Sequence, residues 1–216
     1  MRLKDIKGLK FPDEYFILFF FKKSLYKFKN KSFFDLGCSN GCNVSLAYEY
    51  ENDVVGVDYN QELISFANDN FKISNNSFNF VCDDMRNFVK NYNNKIDVLI
   101  IANSIYYIPK EDFIYLLRDI KKNLNKNIPF FIRFRTINDY RYGKGSYVSP
   151  DAFIIANGIT GEDGVYCKFY KEEEMLEILK KELNLNSYET MKITYDNIQN
   201  ETLVRNEDIV IWGNIN

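Results

Sequence analysis

The stretch Phe33-Phe34-Asp35-Leu36-Gly37-Cys38-Ser39-Asn40-Gly41-Cys42 constrains this chain more than any other. It reads as a short apolar strand that ends near an acid and turns through two glycines into a helix opening at about Asn43. Gly37 and Gly41 permit backbone angles and a closeness of approach that a side chain would forbid. The start of the helix offers unpaired N–H groups and the positive end of its dipole, which suits a polar ligand. The spacing, Asp-x-Gly-x-Ser-x-Gly, departs from the G-x-G-x-x-G of dinucleotide binders, because Ser39 stands two after Gly37 and the next glycine four after it. Packing alone also produces glycine turns between strand and helix, so the rest of the chain has to decide between the two readings.

Further strands follow at the spacing of a parallel sheet. Asp53–Asp58 is a second buried strand ending in an acid 23 residues after Asp35, which fits a βαβ unit. A carboxylate at that tip can accept both hydroxyls of a ribose. Tyr59 to Leu63 starts another helix with Leu63, Ile64, Phe66 and Ala67 towards its buried side. Phe78–Cys82 is a third strand, followed by Asp83, Asp84 and Met85; either acid could cap the short helix that follows. Asp97–Ala102 is apolar enough to be buried on both faces, the mark of a central parallel strand. Pro109 opens a helix whose Phe113, Leu116, Leu117, Ile120 and Leu124 recur at helical spacing. A fifth strand runs Ile128–Arg135, a helix Lys171–Leu183, and two strands (Ser187–Tyr195, Asp208–Gly213) close the chain as an antiparallel pair. The chain is read as one doubly wound α/β domain over residues 1–216.

Composition narrows the function. Hydrophobic residues make up 46% and charged residues 27%, ordinary values for a globular domain. A net charge of −2 argues against a nucleic-acid partner. Four cysteines and no histidine leave little for metal chemistry: Cys38 and Cys42 flank the turn with no second pair at zinc spacing. Reduced thiols and a cytoplasmic location are the plain reading. The N-terminus lacks a secretory pattern, and the apolar run Tyr15–Phe21 is too short for a bilayer, so no membrane partner is expected. Pro12 and Asp13 start a helix continuing to about Tyr26, and residues 1–31 read as an N-terminal helical cap.

Together the loop, the acid Asp58 within Gly56-Val57-Asp58-Tyr59, and the third-strand acids resemble the Rossmann-like S-adenosylmethionine (SAM) dependent methyltransferases of the small-molecule type. Ser39 stands where their middle glycine is usual. The resemblance implies a seven-stranded, mostly parallel sheet with helices on both faces and a C-terminal antiparallel hairpin. It implies SAM as cofactor and S-adenosylhomocysteine as product, bound by Asp35, Gly37, Cys38, Ser39, Gly41, Asp58, Tyr59, Asp83, Asp84, Met85 and Asn103. In that family an acid such as Asp84, or Asp83 in its place, accepts from the adenine amino group and the next amide, Met85, donates to the ring. Asn103 to Tyr107 resembles the segment where the methionine part and the acceptor meet. A helix often covers the cofactor, which makes Tyr15 and Phe16 lid or core residues.

The acceptor region is the least patterned. Arg133, Arg135, Arg141, Lys144, Asp139, Tyr140 and Tyr142 crowd the end of the fifth strand, at the sheet edge where open α/β folds bind ligands. Arg133 and Arg135 fall on one side of the strand and could grip a carboxylate or phosphate, or the cluster could be a solvated loop paired with Asp139. Residues 137–170 show little regular pattern and read as an acceptor-binding insertion. With no histidine, the candidates for a general base are Tyr106, Asp139 and Glu162. Arg133, Arg135, Arg141 and Tyr142 are expected to bind a small anionic acceptor, methylated on oxygen. The competing readings are N-methylation of a small amine or sugar, a non-catalytic SAM-binding module, a nucleic-acid methyltransferase, and an NAD(P) dehydrogenase. Asn103-Ser104-Ile105-Tyr106 replaces the Asn-Pro-Pro-Tyr type signature of the nucleic-acid enzymes, and the loop spacing opposes the dehydrogenase.

Overall fold

A computed structural model describes residues 3–72 and 77–215; the first two residues of the expected cap lie outside these. Strands β1 (Ser32–Leu36), β2 (Asp53–Asp58), β3 (Phe78–Cys82), β4 (Val98–Ala102) and β5 (Ile128–Arg135) alternate with helices α2 (Ser45–Glu49), α3 (Gln61–Phe71), α4 (Met85–Asn91) and α5 (Lys110–Lys121). Helix α1 (Glu14–Lys22) precedes them. After β5 come three short strands, β6 (Gly145–Ser149), β7 (Ala152–Ile155) and β8 (Tyr166–Lys168), then α6 (Glu172–Leu183) and the hairpin β9 (Ser187–Gln199) and β10 (Thr202–Ile215). The main sheet has the order β3-β2-β1-β4-β5-β10-β9. Its first five strands are parallel, and β10 runs antiparallel between β5 and β9. This is the doubly wound seven-stranded sheet expected, with its C-terminal antiparallel pair.

The two faces of the sheet follow from side-chain alternation along the strands. On one face Phe33, Val54, Ile100, Phe131 and Trp212 pack under Phe16, Phe19 and Phe20 of α1, Ala47 of α2 and Ile64 and Ala67 of α3. On the other, Phe34, Leu99, Ile101, Phe130 and Ile132 meet Val89 of α4, the Phe113-Leu116-Leu117-Ile120 stripe of α5 and Met175 and Leu179 of α6. All five residues of β4 are buried, as a central strand requires. Phe16 is core: its ring meets Phe131 edge-on at 5.5 Å. Tyr15 lies against the Arg133 guanidinium, 5.5 Å from its ring centre.

Local structure departs from expectation in four places. Helix α1 stops at Lys22 rather than near Tyr26, because Ser24 takes a left-handed backbone (φ 56) and starts a separate 3-10 turn. Helix α2 begins at Ser45, after a turn in which Gly41 N donates to Cys38 O. The final strands are longer than their apolar cores, since β9 and β10 pair continuously from Ser187–Asn214 to Gln199–Thr202. Residues 137–170 are not irregular: β6, β7 and β8 form a three-stranded antiparallel sheet. Those strands are three to five residues long, and β6 is largely exposed, so no alternation marks them. Among the described residues, no helix is long and apolar enough to cross a membrane.

Three distant parts of the chain meet at one guanidinium. Asp13 caps α1, its Oδ1 accepting from Tyr15 N (2.9 Å) and Phe16 N (3.1 Å). Its Oδ2 accepts from Arg133 Nη1 (2.6 Å) on β5, and the same arginine donates to Asp208 Oδ2 on β10 at 2.6 and 2.9 Å. Asp13→Ala removes the cap and leaves a largely buried arginine short of a partner, and should lower stability by about 2–4 kcal/mol. Asp13→Asn keeps a capping oxygen and should recover about half of that. Urea unfolding of the three proteins checks both, and equal stability of wild type and alanine variant would show that the tie carries no weight.

Candidate active site

The glycine turn is stitched to the tip of β2. Gly37 N and Cys38 N both donate to Val57 O (2.8 and 3.1 Å), and Ser39 N donates to Asp58 Oδ2 (2.9 Å). Asp58 Oδ1 accepts from Asn60 N at 2.9 Å. Gly37 has φ +76, and a Cβ there would stand 2.3 Å from Ser104 Cβ, so no other residue fits. Ser104 Oγ in turn donates to Leu36 O (2.6 Å), which holds the exit of β4 against the exit of β1. Ser39 and Asn103 are both left-handed (φ 52 and 58), so two non-glycine residues carry strain at the same rim.

Over these strand tips lies a cavity of about 620 Å³. Gly37, Cys38, Ser39, Asp58, Tyr59, Asp83, Asp84, Met85 and Asn103 line it, nine of the residues expected to hold a cofactor. Asp35 and Gly41 do not. Gly41 (φ +78) is packed instead, its missing Cβ 2.7 Å from the Phe71 ring. The N-terminal segment Leu9–Asp13 forms another wall, moored by Asn40 Nδ2, which donates to Lys7 O (2.6 Å) and Leu9 O (2.7 Å), and by Asp13 N, which donates to Asn43 Oδ1 (2.9 Å). Tyr107, Ile108, Val165 and Tyr166 close the side nearest β5.

None of the residues expected to bind or activate the acceptor lines this cavity. Arg133 is shared between Asp13 and Asp208. Arg135 pairs with Glu162 and lies over the Tyr106 ring, 4.5 Å from its centre. Arg141 is held by Asp139, Glu162 and Asn206. Tyr142 donates to Asp151 (2.6 Å) away from the cavity. The cluster is a closed network of ion pairs with its charges matched inside the protein. Tyr106 is buried, and burial pushes its phenol well above the usual range. Asp139 is locked by Arg141 and the Glu207 amide.

The residue that does reach the cavity is Tyr107, one position later in the same 3-10 turn (Ile105–Tyr107). Its Oη donates to Glu162 Oε1 at 3.0 Å. Burial first, and the Glu162 charge second, push the Tyr107 phenol up to about 12, so it keeps its proton at neutral pH. Burial tends to raise Glu162, but Arg135 and Arg141 outweigh it and hold that carboxyl below its usual range. Nothing in the spacing distinguishes Tyr107 from Tyr106; only the turn decides which ring faces out. Val165 and Tyr166 were hidden for a similar reason, since they enter from the unpatterned insertion.

The walls fit a nucleoside cofactor. Each Asp58 oxygen takes one backbone amide and keeps a lone pair, an arrangement that suits two adjacent ribose hydroxyls. Leu63, Met85 and Ile108 offer apolar surface for a flat base. At the tip of β3, Asp84 caps α4 and is held by Arg86, whose hydrogen bonds keep that carboxyl below its usual range. Asp83 accepts from the Asp84 amide and from Asn87 Nδ2.

Comparison with known proteins agrees with this geometry. Residues 33–127 match the sequence profile of a family described as "Methyltransferase domain". No curated protein sequence matches the chain. Among solved structures it is similar to a SAM-dependent methyltransferase from Clostridium acetobutylicum, at 18% identity and TM-score 0.60, covering 92% of this chain and 89% of that one. It is similar to one from Methanosarcina mazei, at 13% identity and TM-score 0.64, covering 89% and 96%. It is also similar to TehB from Haemophilus influenzae, at 14% identity and TM-score 0.63, where the match covers 89% of this chain but 60% of TehB. The fold is that of the Rossmann-like SAM-dependent methyltransferases.

Asp35 sits beneath this site with both carboxylate oxygens buried and without a hydrogen-bond partner. Burial, and then the charge of Asp58, push it from 3.8 up to about 8. The folded state therefore favours the protonated form. Its contribution is fully present below pH 3.8 and is lost as pH rises through about 8. Asp35→Asn stays uncharged throughout, so its melting temperature should gain on the wild type between pH 4 and pH 8 and hold that gain above. A difference that does not change with pH would show that Asp35 is ionised in the fold.

Proposed function

We propose that this chain is a SAM-dependent methyltransferase that transfers a methyl group to a small molecule bound beside Tyr107, a reading its fold and its matched methyltransferase domain support. One observation carries the reading. A single cavity joins the glycine turn and Asp58 on one side to Tyr107 and Tyr166 on the other. When bound, SAM supplies a methyl group on a positively charged sulfur, so a correctly held nucleophile needs little further activation. Proximity of that kind is worth up to roughly 7–11 kcal/mol.

The residues take separate parts. Asp58 would hold the ribose hydroxyls, the Gly37–Ser39 turn the amino-acid end, and Asp83 and Met85 the base. Tyr107 Oη commits its own proton to Glu162 and keeps a lone pair for an acceptor's O–H or N–H. Among the described residues of the cavity wall the bases are the weak carboxylates Asp13, Asp58, Asp83 and Asp84, which suits an acceptor whose proton is lost easily. The expected grip on a phosphate or carboxylate has no support in this arrangement, because Arg133, Arg135 and Arg141 are all spent on internal carboxylates. The preference for oxygen over nitrogen rested on the same arginines and goes with them.

Titration calorimetry with SAM and with S-adenosylhomocysteine tests the reading directly. Asp58→Ala should weaken both by about 2–4 kcal/mol, the worth of two hydrogen bonds to a charged group. Failure of the wild type to bind either compound would remove the methyltransferase reading altogether.

A further inference from the structure

The cavity is ringed by apolar side chains that water reaches. Leu9 (64% exposed), Phe11 (67%) and Val165 (37%) all lie on its wall, with the Tyr107 ring beside them (37%). Scattered single hydrophobics on a surface need no explanation, but several converging on one concave site mark a binding surface. They come from two separate segments, the N-terminal stretch before α1 and the insertion between β5 and α6. The insertion stands on the β4–β5 side of the sheet, and the N-terminal stretch runs from the glycine turn, where Asn40 donates to Leu9 O, to β5, where Arg133 donates to Asp13. Asp58 and Met85, which fit the nucleoside, come from the β2–β3 side. The end of the cavity formed by Val165 and the Tyr107 ring, which Phe11 approaches from the N-terminal stretch, therefore lies away from the strand tips that fit the nucleoside.

Charge makes the second half of the argument. Arg86 is the one cationic side chain among the described residues of the wall, and it is clamped between Asp84 and Asp112 (2.5 and 2.6 Å). Arg133 behind the wall is shared by Asp13 and Asp208. An anion entering here would shed water without meeting a free cation, and would approach the carboxylates of Asp13 and Asp83. Resting on the methyltransferase reading, we infer that the acceptor is an uncharged, largely apolar ring compound. It packs against Phe11, Val165 and the Tyr107 ring and turns its nucleophilic group towards Tyr107 Oη.

The test uses the whole chain saturated with S-adenosylhomocysteine and three matched probes: 2-naphthol, 6-hydroxy-2-naphthoate and 2-naphthylmethylamine. Binding is followed by naphthyl fluorescence, and binding of S-adenosylhomocysteine itself by calorimetry. The expected result is that 2-naphthol binds at least tenfold tighter than either charged probe. Phe11→Asp and Val165→Asp should each weaken it about tenfold while leaving S-adenosylhomocysteine affinity within twofold. Both positions are exposed, so neither change threatens the core. Tighter binding of a charged probe, no binding of 2-naphthol, or indifference to both substitutions would overturn the inference with the cofactor site intact. Loss of S-adenosylhomocysteine binding by the wild type would instead overturn the methyltransferase reading on which it rests.

Discussion

The site depends on one carboxylate. Asp58 takes the amide of Ser39 on one oxygen and that of Asn60 on the other, and so fixes the glycine turn relative to the start of α3. Without that clamp the left-handed backbone of Ser39 would have little to hold it. Charged hydrogen bonds of this kind are about twice as strong as neutral ones, enough to offset strain at a single residue. The lack of a side chain at Gly37 completes the arrangement, since Ser104 occupies the space and ties β4 to β1. Chemistry at the rim is thus set by two close approaches, one electrostatic and one steric.

Much of this was legible from the residues. The five parallel strands and the acids at the tips of β2 and β3 are readable from apolar runs and spacing, because buried parallel strands have little freedom in composition, while the seven-stranded sheet is what the resemblance implied. The 23-residue spacing from Asp35, together with the resemblance of Gly56-Val57-Asp58-Tyr59 to a family motif, points to Asp58, and Asp58 lines the cavity. The acceptor side was not legible, for a physical reason. An arginine at the end of a strand looks the same in sequence whether it faces a ligand or a carboxylate from another segment. The partners of Arg133 are 120 and 75 residues away. No local pattern encodes such a pairing. Tyr106 and Tyr107 present the same difficulty on a smaller scale, being adjacent residues of one type that a single tight turn sends to opposite environments.

The ion-pair network also bears on why the described residues of the cavity wall around Val165 carry no free charge. Glu162 satisfies Arg135 and Arg141 and accepts a hydrogen bond from Tyr107, while Thr136 and Asn138 donate to Glu207 and Arg141 donates to Asn206. These groups join the insertion to the overhanging part of the final hairpin. Unpaired charges there would be costly, and pairing them internally leaves the neighbouring wall to Val165 and Tyr166. Rigidity on one side and an uncharged surface on the other come from the same set of contacts.

The position of β10 bears on how the protein is made. It inserts between β5 and β9, yet some 67 residues separate the end of β5 from its own first residue. At roughly 5–20 residues per second of synthesis, the nascent sheet waits on the order of 3–13 s with one side of β5 unpaired. Phe130, Phe131 and Ile132 lie along that open edge, a template for pairing with any other extended chain nearby. Until β10 is made, the edge of β5 that it covers stays open, so the last strand of the chain closes the sheet at its sixth position.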